Sequence, residues 1–147
     1  MVKTNELAAS ELAGAYRATT YRVFLPGGPC DLRIDEASAG LVKWLAQHAC
    51  TGFAIITAYN PGAQRVDEAQ NAERQSALEC ELLEGNYEPY AGENVPDAAD
   101  WPSEETCFIP DIALEDAFAL AEDYGQNAIV WGGADGIPRL AWIEDKK

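Results

Sequence analysis

Asn71 and Arg74 stand seven and four residues before Leu78, so on a helix these two polar side chains extend the inward stripe of Leu78 and Leu82. Arg74 offers a forked cation that matches carboxylate and phosphate oxygens, and the start of a helix offers free N–H groups of the same preference. Asn60 precedes this helix by a short loop, Asn60 to Val66, and is expected at the same corner. Corners where a strand ends and a helix begins commonly bind ligands in α/β layers. Glu104 and Thr106, at the entry to a strand, and Gln126 with Asn127, just after the helix-ending Gly125, complete the candidate set. These residue types suit a small anionic or amide-bearing ligand, or a peptide. The competing reading is architectural. The Asn and Gln amides would satisfy loop backbone, and Arg74 would pair with Glu104 as a buttress, since a buried polar group left unpaired costs about 1–3 kcal/mol.

Other chemistries find less in the chain. His48 is the single histidine and ends the helical stripe Leu41, Trp44, Leu45, His48, which reads as a packed or helix-end position. No G-x-S-x-G, H-E-x-x-H, P-loop or G-x-G-x-x-G occurs. Glu104 and Glu105 are adjacent on a strand and point to opposite faces, so the two carboxylates do not converge on one atom. Cys30, Cys50, Cys80 and Cys107 form no C-x-x-C pair and read as reduced, packed thiols. His48 and Cys50 lack further ligands at zinc spacing, so no metal and no cofactor is expected.

The beginning of the sequence lacks the basic-then-apolar layout of a signal peptide, and no window approaches 18 uninterrupted apolar residues. A cytoplasmic protein with no membrane association is the expectation. Ten basic against 25 acidic residues give a formal charge of −15, which argues against direct nucleic-acid binding. The whole excess lies between Gln75 and Pro138, a window with fifteen Asp and Glu and no Lys or Arg. That window reads either as a solvated surface or as a face for a basic protein partner.

The elements that must position these residues follow from periodicity and turn chemistry. Helices are expected over 5–16, over about 36–49 behind an Asp35 cap, over 67–84 between Asp67 and Gly85, and from an Asp111 cap to Gly125. Strands are expected over 19–25, 30–34, 53–58, near Tyr87, over 106–109, 128–131 and 137–143, with residues 86–103 mostly a long loop. The run 53–58 is continuously apolar, the mark of a strand buried on both faces. Trp44, Trp131 and Trp142 sit on apolar stripes and are expected in the core. The order α-β-β-α-β-α-β-β-α-β-β, with hairpins at both ends, implies a single α+β domain over 1–147. Its core spans about 16–143, with a mixed or mostly antiparallel sheet and three to four helices packed on it.

Four separated motifs agree with one family. Thr57-Ala58-Tyr59-Asn60-Pro61, Asn71-Ala72-Glu73-Arg74-Gln75, Trp101-Pro102-Ser103-Glu104 and Tyr124-Gly125-Gln126-Asn127-Ala128-Ile129-Val130-Trp131 together resemble a bacterial family of small proteins, the domain of unknown function numbered 3293. The resemblance spans Tyr16 to Ile143 and implies no reaction. It implies Ser where this chain has Thr106, with the hydroxyl kept. Three functions therefore stand as expectations: a non-catalytic module binding its ligand at the polar corner, a small enzyme acting there on a nucleotide-like or acyl substrate, or an acidic protein that binds a basic partner.

Overall fold

The computed structural model describes residues 11–98 and 102–143. Seven strands, β1 (Thr19–Leu25), β2 (Gly28–Leu32), β3 (Gly52–Ile56), β4 (Tyr90–Pro96), β5 (Glu104–Pro110), β6 (Ala128–Gly133) and β7 (Arg139–Trp142), form one sheet in the order β2-β1-β4-β5-β3-β6-β7. Every neighbouring pair is antiparallel. Among the described residues four helices accompany it: α1 over 11–17, α2 (Ala39–Gln47), α3 (Glu68–Glu84) and α4 (Leu114–Asp123). The chain is thus the expected α+β domain.

The central strand explains the layering. All five residues of β3 are buried, and their alternation feeds two cores. Ala54 and Ile56 pack with Leu78 and Leu82 of α3 and with Ala117, Phe118 and Ala121 of α4. Phe53 and Ile55 pack on the opposite face with Leu41, Trp44 and Leu45 of α2, and with Tyr21, Phe108 and Val130. Trp131 and Trp142 are half-buried rather than enclosed, while Trp44 is buried. His48 is the C-cap of α2, stacked on Trp44 with ring centroids 4.1 Å apart, so it is the helix-end histidine of the expectation. Among the described residues no helix is long and apolar enough to cross a membrane.

Two caps and one strand depart from expectation, and the ends of the other strands shift by at most two residues. Ser38, not Asp35, caps α2, its hydroxyl accepting from the Leu41 N–H at 3.2 Å; Asp35 has φ 67° and binds Arg17. Asp111 does not cap α4. Its Oδ1 accepts from the Thr51 N–H and hydroxyl and from the Gly52 N–H at 2.8, 3.2 and 3.2 Å, which holds the entry to β3 and leaves Ala113 as the N-cap. The strand expected near Tyr87 is β4, Tyr90–Pro96, inside the segment expected to be mostly loop. It lies between β1 and β5, with Gly92 facing Val23 on one side and Thr106 on the other. A Cβ at Gly92 would stand 2.5 Å from the Arg22 carbonyl oxygen and 2.8 Å from Thr106 Oγ1, so the strand closes up only around glycine.

Helix α1 is fastened beside the sheet. Thr19 Oγ1 donates to the Ala15 carbonyl at 2.7 Å, the Tyr21 hydroxyl donates to the Tyr16 carbonyl at 3.2 Å, and the Tyr16 ring meets Trp142 edge-on at 5.9 Å. Arg33 donates to both carboxylate oxygens of Asp97 at 2.9 and 3.0 Å and to the Arg17 carbonyl at 3.1 Å, joining β2, the end of β4 and the end of α1.

Candidate functional site

Past Ile56 the chain leaves the β3 ladder but stays inside: Ala58, Tyr59 and Asn60 are all buried. Buried peptide groups without strand partners must be satisfied by other means. Helix α3 supplies them. Asn71, Arg74 and Gln75, spaced i, i+3, i+4, lie on one helix face. Asn71 Oδ1 accepts from the Asn60 N–H at 2.9 Å, Arg74 Nε donates to the Ala58 carbonyl at 2.8 Å, and Gln75 Oε1 accepts from the Ala58 N–H at 3.0 Å. The loop after α4 grips the segment from the other side. Gln126 Nε2 donates to the Tyr59 carbonyl at 3.0 Å, and the Gly62 N–H donates to the Gly125 carbonyl at 2.7 Å.

Asn60 is the hub. It is left-handed (φ 46°), a conformation Asn tolerates better than most residues. Its Oδ1 accepts from Val66 N–H and Asn71 Nδ2, both at 3.0 Å, and its Nδ2 donates to Glu104 Oε2 at 2.7 Å. Three motifs far apart in sequence therefore meet as one hydrogen-bonded clamp.

Arg74 belongs to that clamp. Besides Ala58 it donates from Nη2 to the Tyr124 carbonyl and lies 5.6 Å from the Tyr124 ring centroid. The expected Arg74–Glu104 buttress is replaced by main-chain carbonyls for Arg74 and by Asn60 for Glu104, because the irregular backbone after β3 leaves carbonyls that only a long donor reaches.

In front of the clamp a cleft of about 700 Å³ opens on the sheet face that α2 leaves uncovered, walled by α1 and by the 59–64 turn. Of the candidate residues, Asn60, Glu104, Thr106 and Gln126 line it; Asn71, Arg74 and Asn127 do not. Asn71 is 2% exposed, and the Asn127 carbonyl accepts from the Ile143 N–H at 3.0 Å beyond the end of β7. Glu104 and Glu105 diverge as expected: Glu104 lines the cleft, and Glu105 accepts from the Tyr59 hydroxyl at 2.7 Å.

The cleft floor mixes apolar Ile55, Val130 and Leu140 with polar Asn94, Glu104 and Thr106. Asn94 Oδ1 is buried and accepts from no donor among the described residues. The charged residues among the described lining are Glu11 and Glu104, both acidic. Burial, with Glu104 adding, pushes the Tyr16 phenol up to about 12, and burial raises Tyr21 and Tyr59 as well. These phenols are neutral near pH 7, available for hydrogen bonding and for aromatic contact.

Sequence reasoning passed over Gln75, although its i+4 spacing from Asn71 placed it on the clamp face. It also passed over Asn94, Tyr16 and Tyr21, which the pairing of β1, β4 and β5 brings to the cleft. No local signal marked Asn94, since its strand carries neither apolar alternation nor β-branched runs.

No curated protein matches this sequence, and no solved structure matches it. The sequence profile of one family, described as "Protein of unknown function (DUF3293)", matches residues 56–129, half of the chain. That span is shorter than the Tyr16–Ile143 of the motif resemblance, and it contains all the clamp residues. Residue Trp101 of the third motif lies outside the described residues. The chain belongs to the DUF3293 family of proteins of unknown function.

Proposed function

We propose that this chain is a non-catalytic binding module whose cleft takes a small amide-bearing ligand or a short stretch of peptide. The observation that carries this reading is the Asn94 Oδ1 acceptor, buried at the cleft and without a donor among the described residues. An acceptor removed from water without a partner costs about 1–3 kcal/mol, and an incoming N–H repays that cost. Thr106 and Gln126 add further polar lining, and the apolar floor takes the hydrocarbon part of the ligand. The anionic ligand draws less support. The guanidinium expected to hold it is engaged by the Ala58 and Tyr124 carbonyls, and the charged residues among the described lining are acidic.

Butanamide is a suitable probe, followed by amide chemical shifts in a ¹⁵N-labelled sample. Saturable shifts are expected at residues 94, 104 and 106, and Asn94→Leu is expected to abolish them while the melting temperature stays within a few degrees. Shifts scattered over the surface, or unchanged binding by Asn94→Leu, would overturn the reading.

A second reading rests on a separate observation. Helices α3 and α4 cover the same sheet face, and α4 exposes Glu115, Asp116, Glu122 and Asp123 with no basic residue of its own. This acidic layer fits a basic protein partner. Reversing Glu115, Asp116 and Glu122 to Lys is expected to abolish capture of a polylysine-bearing peptide, and undiminished capture would discard the reading.

A further inference from the structure

Tyr21, Asn94 and Glu104 are register partners across three adjacent strands: Tyr21 faces Asn94 between β1 and β4, and Asn94 faces Glu104 between β4 and β5. Directly opposed residues project from the same face of a sheet, with Cβ atoms about 4.5–5.5 Å apart. All three line the cleft. An aromatic ring, an amide oxygen and a carboxylate thus stand in one row at the bottom of a solvent-reachable hollow. Tyr16, on the wall, adds a second phenol, and its main-chain carbonyl accepts from the Tyr21 hydroxyl.

From this row we infer that the cleft selects ligands carrying a protonated amine, with the ammonium seated between Asn94 Oδ1 and the Glu104 carboxylate beside the Tyr21 ring. This inference rests on the cleft being a binding site and adds the sign of the ligand's charge.

The chemistry of the row is one-sided. An ammonium has three donors and no acceptor. The row offers an amide oxygen that meets no donor among the described residues, and a carboxylate whose Oε2 accepts from Asn60, which orients the group. Three other hydrogen bonds fix Asn60 from behind, so the donor that orients Glu104 is in place before any ligand arrives. Aromatic faces attract cations and leave anions unfavoured. Among the described lining residues the charged ones, Glu11 and Glu104, are both acidic, and with a chain of formal charge −15 they raise the local concentration of cations and repel carboxylates. Ile55, Val130 and Leu140 leave room for a short hydrocarbon chain on the amine.

Three probes of matched size separate the cases: n-butylammonium, butanamide and butyrate, each titrated into the full chain at low salt with amide shifts as the readout. The expected order is butylammonium first, tighter than butanamide by about tenfold, as charge-assisted hydrogen bonds exceed neutral ones. Butyrate is expected not to bind, and added salt should weaken butylammonium alone. Glu104→Gln keeps an acceptor for Asn60 and is expected to abolish the preference, bringing butylammonium down to the level at which the same variant binds butanamide, while a melting temperature within a few degrees of the parent reports an intact fold. Asn94→Asp, with a second carboxylate in the row, should tighten butylammonium further. Equal affinity for butylammonium and butanamide, or butyrate binding best, would overturn the inference while leaving the cleft as a site. Failure of all three probes to bind would overturn both.

Discussion

Replacing Asn71 by alanine tests whether the buried amides hold the chain or await a ligand. Asn71 is 2% exposed and makes two bonds to Asn60, accepting from its N–H at 2.9 Å and donating to its Oδ1 at 3.0 Å. The Asn60 Oδ1 keeps a second donor, the Val66 N–H, so its loss is about 1 kcal/mol. The Asn60 N–H, in a residue 5% exposed, is left unsatisfied, at about 1–3 kcal/mol. Alanine's better helix propensity returns about 0.5 kcal/mol. The net expectation is a loss of about 1.5–3.5 kcal/mol, or roughly 1–2 M in the urea midpoint for a typical denaturant slope. Urea unfolding followed by tryptophan fluorescence reads this directly. Glu73→Ala, exposed on the same helix, serves as the control and should change stability by less than about 0.5 kcal/mol. An Asn71→Ala protein as stable as the control would refute the clamp. If it also lost butanamide binding, Asn71 would be a ligand contact instead.

The remaining expectations concern the same scaffold. Gln75→Leu strips the acceptor from the buried Ala58 N–H and should cost about 1–3 kcal/mol in the same urea assay. Gly125→Ala adds a side chain at φ +70°, with its Cβ 2.9 Å from that of Pro61, and should lower stability by about 1–3 kcal/mol, read as a fall in melting temperature. All six tyrosines have raised pKa values: burial leads for Tyr16, Tyr21, Tyr59 and Tyr124, and a carboxylate partner leads for Tyr87 with Asp116 and for Tyr90 with Glu88. The unfolded chain loses these protons first, so the stabilisation is complete below about pH 10 and is lost as pH climbs toward 12. A phenolate absorbance titration should show the tyrosines ionising together with unfolding; a plain titration near pH 10 with the fold intact would contradict this.

Much of the fold was legible from local chemistry. The Asp67 cap, the stripe of α3 and the Gly85 stop all stand as read, because each depends on neighbours within a turn. The burial of β3 on both faces also followed from its unbroken apolar run. Strand β4 was hidden for a physical reason. Gly92, Asn94 and Pro96 disfavour an isolated strand, and what makes them one is the pairing with β1 and β5, including the close approach that Gly92 alone permits. The candidate corner was legible as a meeting of Asn60, Asn71 and Arg74, but not the direction of their polar atoms. A guanidinium beside an irregular strand end serves bare carbonyls as readily as a ligand anion, and only the path of residues 57–61 decides between them. The cleft itself depended on Asn94 and Tyr21, which β4 had to bring into register.

The proposed function divides the labour: Arg74 and its helix neighbours hold the 58–60 backbone, and the row at Asn94 and Glu104 is the proposed place of the ligand. Butanamide titration of Arg74→Ala, at a temperature below its melting range, tests that division most directly. The expected protein is less stable by about 3 kcal/mol, from the loss of two bonds to the Ala58 and Tyr124 carbonyls, and its folded form binds butanamide within about twofold of the parent. A folded Arg74→Ala protein of undiminished stability that no longer binds would contradict that division.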